Sequence, residues 1–169
     1  MKNLLCLILS FFFIPAGHTQ LASPNESGVT FGHVHLNVSD LEQHKRIWVE
    51  HFNGTIVEKG SHSVIKLPNM LITLTEQQPT MDSIETAMHH FGFKVRRMDK
   101  FLDKWRADGL PVGSMFLGAE GQLNAYVTLP DGVEVEMQED RGLQQEITGY
   151  HVHWFVDDAV DILTWYVDM

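Results

Sequence analysis

From Phe31 onward the chain alternates between apolar and polar positions. In His33-Val34-His35-Leu36-Asn37-Val38 the apolar residues Val34, Leu36 and Val38 fall on one face and His33, His35 and Asn37 on the other, which is the period-two signature of a half-buried strand. Asp40 then stands three residues before Gln43, the spacing of a capping box, and Leu41, Ile47, Trp48 and Phe52 form the apolar stripe of a helix that stops near Gly54. Thr55–Glu58, Ser63–Leu67 and Met70–Thr75 read as short strands, the last two joined by a tight turn at Pro68-Asn69. The order is βαβββ.

After a linker at Gln77–Ser83 the order repeats. A strand at His89–Arg96 leads to a helix capped at Asp99, with Phe101, Leu102 and Trp105 on its buried face and Gly109 as its stop. Strands follow at Val112–Leu117, Gln122–Leu129 and Val133–Gln138, the last two joined by Pro130-Asp131-Gly132, where glycine accepts a positive φ at little cost. A third copy opens at Tyr150: His151-Val-His153-Trp-Phe-Val156-Asp-Asp158 matches His33-Val-His35-Leu-Asn-Val38-Ser-Asp40 position for position, and Tyr166 follows Asp158 as Trp48 follows Asp40. The sequence runs out at Met169 inside the helix of that third unit, so the reading expects a truncated piece of a longer, four-module protein whose third unit packs at an edge or stays disordered.

Composition narrows the partners. The chain has 169 residues, 44% of them hydrophobic, enough to bury a core. Its formal charge of −10 disfavours nucleic acid and anionic membrane, both of which call for clustered Lys and Arg, and leaves a small organic molecule as the expected ligand. Met1-Lys2-Asn3, the apolar run Leu4 to Ile14 and Pro15-Ala16-Gly17 read as a secretory signal over residues 1–23, too short to span a bilayer. The lone cysteine, Cys6, falls inside it, so a secreted or periplasmic product carries no thiol and no disulfide.

Three stretches carry chemistry. His33-x-x-Leu36-x-Val38-x-Asp40, His90-Phe-Gly-Phe93-Lys-Val95 and Pro130-Asp131-Gly132-Val-Glu-Val-Glu136 resemble the strands and turn that deliver the metal ligands of the vicinal oxygen chelate superfamily, the glyoxalase, bleomycin-resistance and extradiol dioxygenase group. The resemblance covers residues 31–138 and the start of another module at 150. It implies an α+β fold of paired βαβββ modules (31–76 and 88–138) forming an open-sided mixed-sheet barrel with helices outside. It also implies one divalent metal ion on His33, His90 and Glu136.

The residues agree as far as periodicity reaches. His33 lies on the polar face of its strand, His90 shares a face with Gly92 and Lys94, and Glu136 alternates against Val135 and Met137. Two imidazoles and a carboxylate suit Fe, Mn, Zn or Ni in the divalent state with positions open for water and substrate. His89 points to the other face and is expected to pack or cap, whereas His44, His51 and His62 read as surface residues. The first module ends in Met70-Leu-Ile-Thr73-Leu-Thr75, with no carboxylate where a four-ligand glyoxalase carries one, which favours a three-ligand arrangement like that of dioxygenases and fosfomycin-resistance enzymes. Tyr126 resembles the dioxygenase signature tyrosine, although that signature's upstream histidine has no counterpart and Leu129 replaces the polar residue before its proline.

Tyr126 and Glu134 are the expected catalytic proton carriers, and His35, Asn37, Lys94 and Asn124 the expected substrate-lining residues. The expected function is that of a metal-dependent dioxygenase or a glyoxalase-like lyase or isomerase acting on a small substrate that offers two adjacent oxygens. The alternative is a non-catalytic binding module of the bleomycin-resistance type. A homodimer, or pairing with further C-terminal modules, is the expected assembly.

Overall fold

The computed structural model describes residues 23–60 and 62–168. All but the last residue of the expected signal segment lies outside the described residues. The first unit runs β1 (Val34–Val38), α1 (Leu41–Glu50), β2 (Thr55–Lys59), β3 (His62–Leu67) and β4 (Met70–Glu76). The second runs β5 (Met88–Val95), α2 (Met98–Ala107), β6 (Val112–Leu117), β7 (Leu123–Leu129) and β8 (Val133–Glu139), and β9 (Ile147–Trp154) and α3 (Ala159–Asp168) follow. The fold is α+β, built on two mixed sheets.

One sheet has the order β1-β4-β3-β2 and the other β6-β7-β8-β5-β9. In each unit the opening strand pairs parallel with the closing strand, β1 with β4 and β5 with β8, because the helix carries the chain back before it turns through two antiparallel hairpins. The third unit packs at an edge: β9 lies antiparallel against the far side of β5. β1, the matching strand of the first unit, is an edge of its sheet.

The two units share one core. Val34, Leu36 and Val38 of β1, Met70, Ile72 and Leu74 of β4, Phe91, Phe93 and Val95 of β5, and Val133, Val135 and Met137 of β8 are buried together with Trp48, Phe52, Phe101, Leu102 and Trp105. Trp48 of the first unit stacks near Phe91 and Phe93 of the second, at 6.0 and 6.1 Å between ring centroids, and Phe52 packs edge-on against Trp105 at 6.0 Å. Each aromatic buries a large area, so the units are joined by area as well as by the chain. Among the described residues nothing comparable covers α3, whose Trp165 and Tyr166 are more than half exposed, although Tyr166 is the repeat counterpart of the fully buried Trp48.

Two local expectations change. Asp40 caps α1 by accepting from the Gln43 N–H at 2.9 Å, but α2 begins at Met98 with Arg97 in the cap position, and Asp99 instead receives the Arg97 guanidinium at 2.9 and 2.6 Å. His44 and His51, expected on the surface, are buried. His51 meets Asp108 at 2.9 Å and packs T-shaped on Trp105 at 4.9 Å between ring centroids, tying the ends of the two helices together.

His44 belongs to a second tie between the units. Asp131, in a left-handed conformation at φ 61°, accepts from the Ser39 N–H at 2.8 Å and the Ser39 hydroxyl at 2.6 Å, and His44 Nε2 lies 3.2 Å away. The turn between β7 and β8 of the second unit therefore clamps the start of the first unit's helix. Asp131→Ala is expected to lower unfolding free energy by about 1–2 kcal/mol in urea titration, because the hydrogen bonds that Ser39 makes to a charged group are replaced by bonds to water. Asp131→Asn, which keeps the tolerance for positive φ, loses less.

Burial holds the His44 and His51 imidazoles below their ordinary pKa against the opposing pull of Asp131 and Asp108. Both rings thus bind protons more readily unfolded than folded, and stability is expected to fall as pH drops below about 6.5, the unfolded value. Burial pushes the Asp131 carboxyl up, but the Ser39 hydrogen bonds and the His44 charge outweigh it and hold it below the usual range. Its contribution is lost at more acid pH. Melting temperature measured from pH 8 to pH 2 checks both steps.

Candidate metal centre

β5 is flanked by the two strands that complete the site. On the parallel side Gly92 pairs with Glu136 of β8, and on the antiparallel side Gly92 pairs with His151 and His90 with His153 of β9. The register shifts between Gly92 and Phe93, where the opposite pairing jumps from His151 to Gly149. That bulge leaves Tyr150 over, half exposed beside the Lys94 ammonium at 4.5 Å, and turns His151 instead of Tyr150 toward β5. A Cβ on Gly92 would lie 2.3 Å from His151 Cε1, so the ring occupies the space this glycine leaves bare.

The result is a convergence of His90, Glu136 and His151, whose candidate ligand atoms all lie within 4.8 Å of one another. His90 Nε2 is 3.0 Å and His151 Nε2 3.4 Å from Glu136 Oε2. The other carboxylate oxygen, Oε1, accepts from Asn124 Nδ2 at 2.6 Å, which leaves Oε2 turned to the imidazoles. Burial pushes the Glu136 carboxyl up, but hydrogen bonds from His151 and His90 and their charge more than offset it and hold it well below the ordinary carboxylate range. The group is an anion among two nitrogen donors. That donor set fits a divalent transition metal.

Further groups surround it. His89 Nδ1 lies 2.9 Å from His90 Nδ1, so one of the two carries the proton; where His90 Nδ1 donates, its Nε2 is left free. The His153 ring is 4.5 Å and the Tyr126 ring 5.2 Å from that of His90. Burial, then the Glu136 and Glu134 charges, raises the Tyr126 pKa, so its hydroxyl keeps its proton. Glu134, on the same face of β8, accepts from the Thr128 hydroxyl at 3.0 Å.

The structure thus brings together His90 and Glu136 with Tyr126, Glu134 and Asn124. His33 is exposed, in the residue before β1, beside His35 at 6.1 Å between centroids, and is not among the converging ligands. His35 and Asn37 line a cleft of about 270 Å³ with Met81, Ser83, Met88 and Asp131. Lys94 is drawn to Asp140 at 3.3 Å and to Tyr150. Asn124 holds the carboxylate. The candidate ligand that sequence reasoning passed over is His151, yet it is the repeat counterpart of His33, and the signal lay in the third copy of that strand.

Residues 30–169 match the family model of the Glyoxalase/Bleomycin resistance protein/Dioxygenase superfamily. The chain belongs to that superfamily. Among solved structures, it is similar to the fosfomycin resistance protein FosX from Listeria monocytogenes, with a TM-score of 0.58 and 16% identity over 66% of this chain and 93% of that one. A variant of the Listeria protein complexed with Mn(II) and 1S,2S-dihydroxypropylphosphonic acid aligns with a TM-score of 0.54 and 19% identity over 68% and 90%. Lactoylglutathione lyase from Agrobacterium tumefaciens aligns with a TM-score of 0.52 and 18% identity over 69% and 97%. At such identities the likeness is one of fold. No curated protein sequence matches the chain.

Gly92→Ala is expected to expel the His151 ring from its seat while leaving His90 and Glu136 in place. Imidazole NMR shifts should then change for His151 far more than for His44. An unmoved His151 signal would contradict the packing described.

Proposed function

We propose that this protein binds one divalent metal ion through His90, His151 and Glu136 and catalyses a reaction of a small substrate bearing two adjacent oxygens. The observation that carries the proposal is the convergence of two imidazole nitrogens on a carboxylate whose second oxygen is anchored by Asn124. Fe, Mn, Zn and Ni in the divalent state all accept such a set, and the structural likeness to a fosfomycin-resistance protein crystallised with Mn(II) supports it. When bound, the ion supplies electrophilic polarisation of the substrate oxygens.

The chain's own groups do the rest. Asn124 orients Glu136, and His89, accepting from a His90 Nδ1–H, would leave His90 Nε2 free for the ion. Tyr126, protonated and beside the His90 ring, is placed to donate a proton or hydrogen bond to a developing oxyanion, while Glu134 on the neighbouring position of β8 is placed to accept one. The reaction is of dioxygenase or glyoxalase-like lyase or isomerase type. The apolar N-terminal run of the sequence supports action outside the cytoplasm.

Metal analysis after reconstitution of the chain with Mn(II) should return near one equivalent, lost in His90→Ala, His151→Ala and Glu136→Gln but retained in His44→Ala. No Mn(II), Fe(II), Zn(II) or Ni(II) above background at this site would replace the catalytic reading with a metal-free binding module. In the metal-loaded protein, Tyr126→Phe is expected to lower kcat by about 10²-fold or more, with little change in metal content.

A further inference from the structure

β1 repeats β5, but the groups it presents differ in kind. Gly92 of β5 pairs with Glu136; the corresponding His35 of β1 pairs with Thr73. The first unit thus loses the carboxylate and gains an imidazole. A second ring comes from His62, the opening residue of β3, whose centroid lies 5.8 Å from that of His35; the His33 ring lies 6.1 Å from His35. His35 Nε2 and His62 Nδ1 both meet one hydroxyl, Thr75 Oγ1, at 2.8 and 3.2 Å. Two ring nitrogens from different strands are thereby aimed at a single point on the outer face of the β1-β4-β3-β2 sheet. All three histidines are exposed.

We infer that His35 and His62, aimed from two strands at one point, form a second, carboxylate-free site for a transition-metal ion, separate from the His90, His151 and Glu136 centre. Imidazoles that share one tetrahedral ion at ordinary nitrogen–metal distances stand about 5 Å apart between centroids. The His35–His62 separation of 5.8 Å needs to close by only about 1 Å, and exposed side chains reach that through small rotamer changes. The ion takes over the two nitrogens that now share Thr75. A site of neutral imidazoles without a carboxylate favours Ni(II), Cu(II) and Zn(II) and holds Mn(II) poorly. Because it faces solvent and draws on the other sheet, it neither needs nor excludes the first centre.

The difference in metal preference separates the two sites experimentally. The untagged full chain is titrated with Mn(II) and with Ni(II) by calorimetry, and Cu(II) is followed by electron paramagnetic resonance. The expected result is one more equivalent of Ni(II) than of Mn(II). His35→Ala and His62→Ala, their folds checked by circular dichroism, should each weaken the extra Ni(II) on the order of tenfold or more and leave Mn(II) unchanged. His90→Ala should do the reverse. Thr75→Val, which removes the competing hydroxyl but no ligand, should keep the extra equivalent. Equal Ni(II) and Mn(II) stoichiometry, or an extra Ni(II) that survives in both His35→Ala and His62→Ala, overturns the inference. Absence of Mn(II) together with a histidine-dependent Ni(II) site would defeat the proposed catalytic centre alone.

Discussion

The edge of β5 is the constraint on which the site depends. An opening strand paired on one side only leaves a row of backbone donors and acceptors without partners, and β9 takes them up. Because side chains alternate along a strand, a slip of one residue in either pairing would turn Glu136 or His151 to the wrong face. The register that saturates β5 is therefore the register that assembles the candidate ligands. The bulge at Tyr150 and the bare Cα of Gly92 are its two fine adjustments, one choosing which β9 residue faces inward and the other making room for its ring.

Much of the fold was legible because its signals are local. The alternation in 33–38 and 89–96 marks β1 and β5 to within a residue or two, and the helix stripes ending in Trp48 and Trp105 mark which faces meet. The α2 cap was displaced because the repeat places Arg97 where the first unit has Asp40, and the nearest carboxylate, Asp99, satisfies that arginine instead. His44 and His51 look like surface residues by type. Only tertiary packing shows that each is buried against a carboxylate from the other unit.

The site was half legible for the same reason. His90 and Glu136 lie within one unit, and their face follows from parity. The choice between His33 and its repeat counterpart His151 depends on which strand lies along β5, a long-range pairing that no window of sequence encodes. Asn124 was visible as a polar residue on the right face, but its role of holding one oxygen of Glu136 appears only with the 2.6 Å contact.

The turn at Pro68-Asn69 adds a last element. Gly149 donates its N–H to the Pro68 carbonyl at 2.8 Å, Asn69 Nδ2 donates to the Gly149 carbonyl at 3.2 Å, and a side chain at Gly149 would collide with Met70. The strand bearing His151 is thus gripped by the first unit and hydrogen-bonded to the second, while the segment that connects it to β8 supplies none of the three ligands. Such a seat recognises a strand by its surface and not by its covalent continuity. A β9 delivered by another polypeptide would fill it with the same contacts, so strand exchange between molecules would conserve the centre while changing the identity of the chain that completes it.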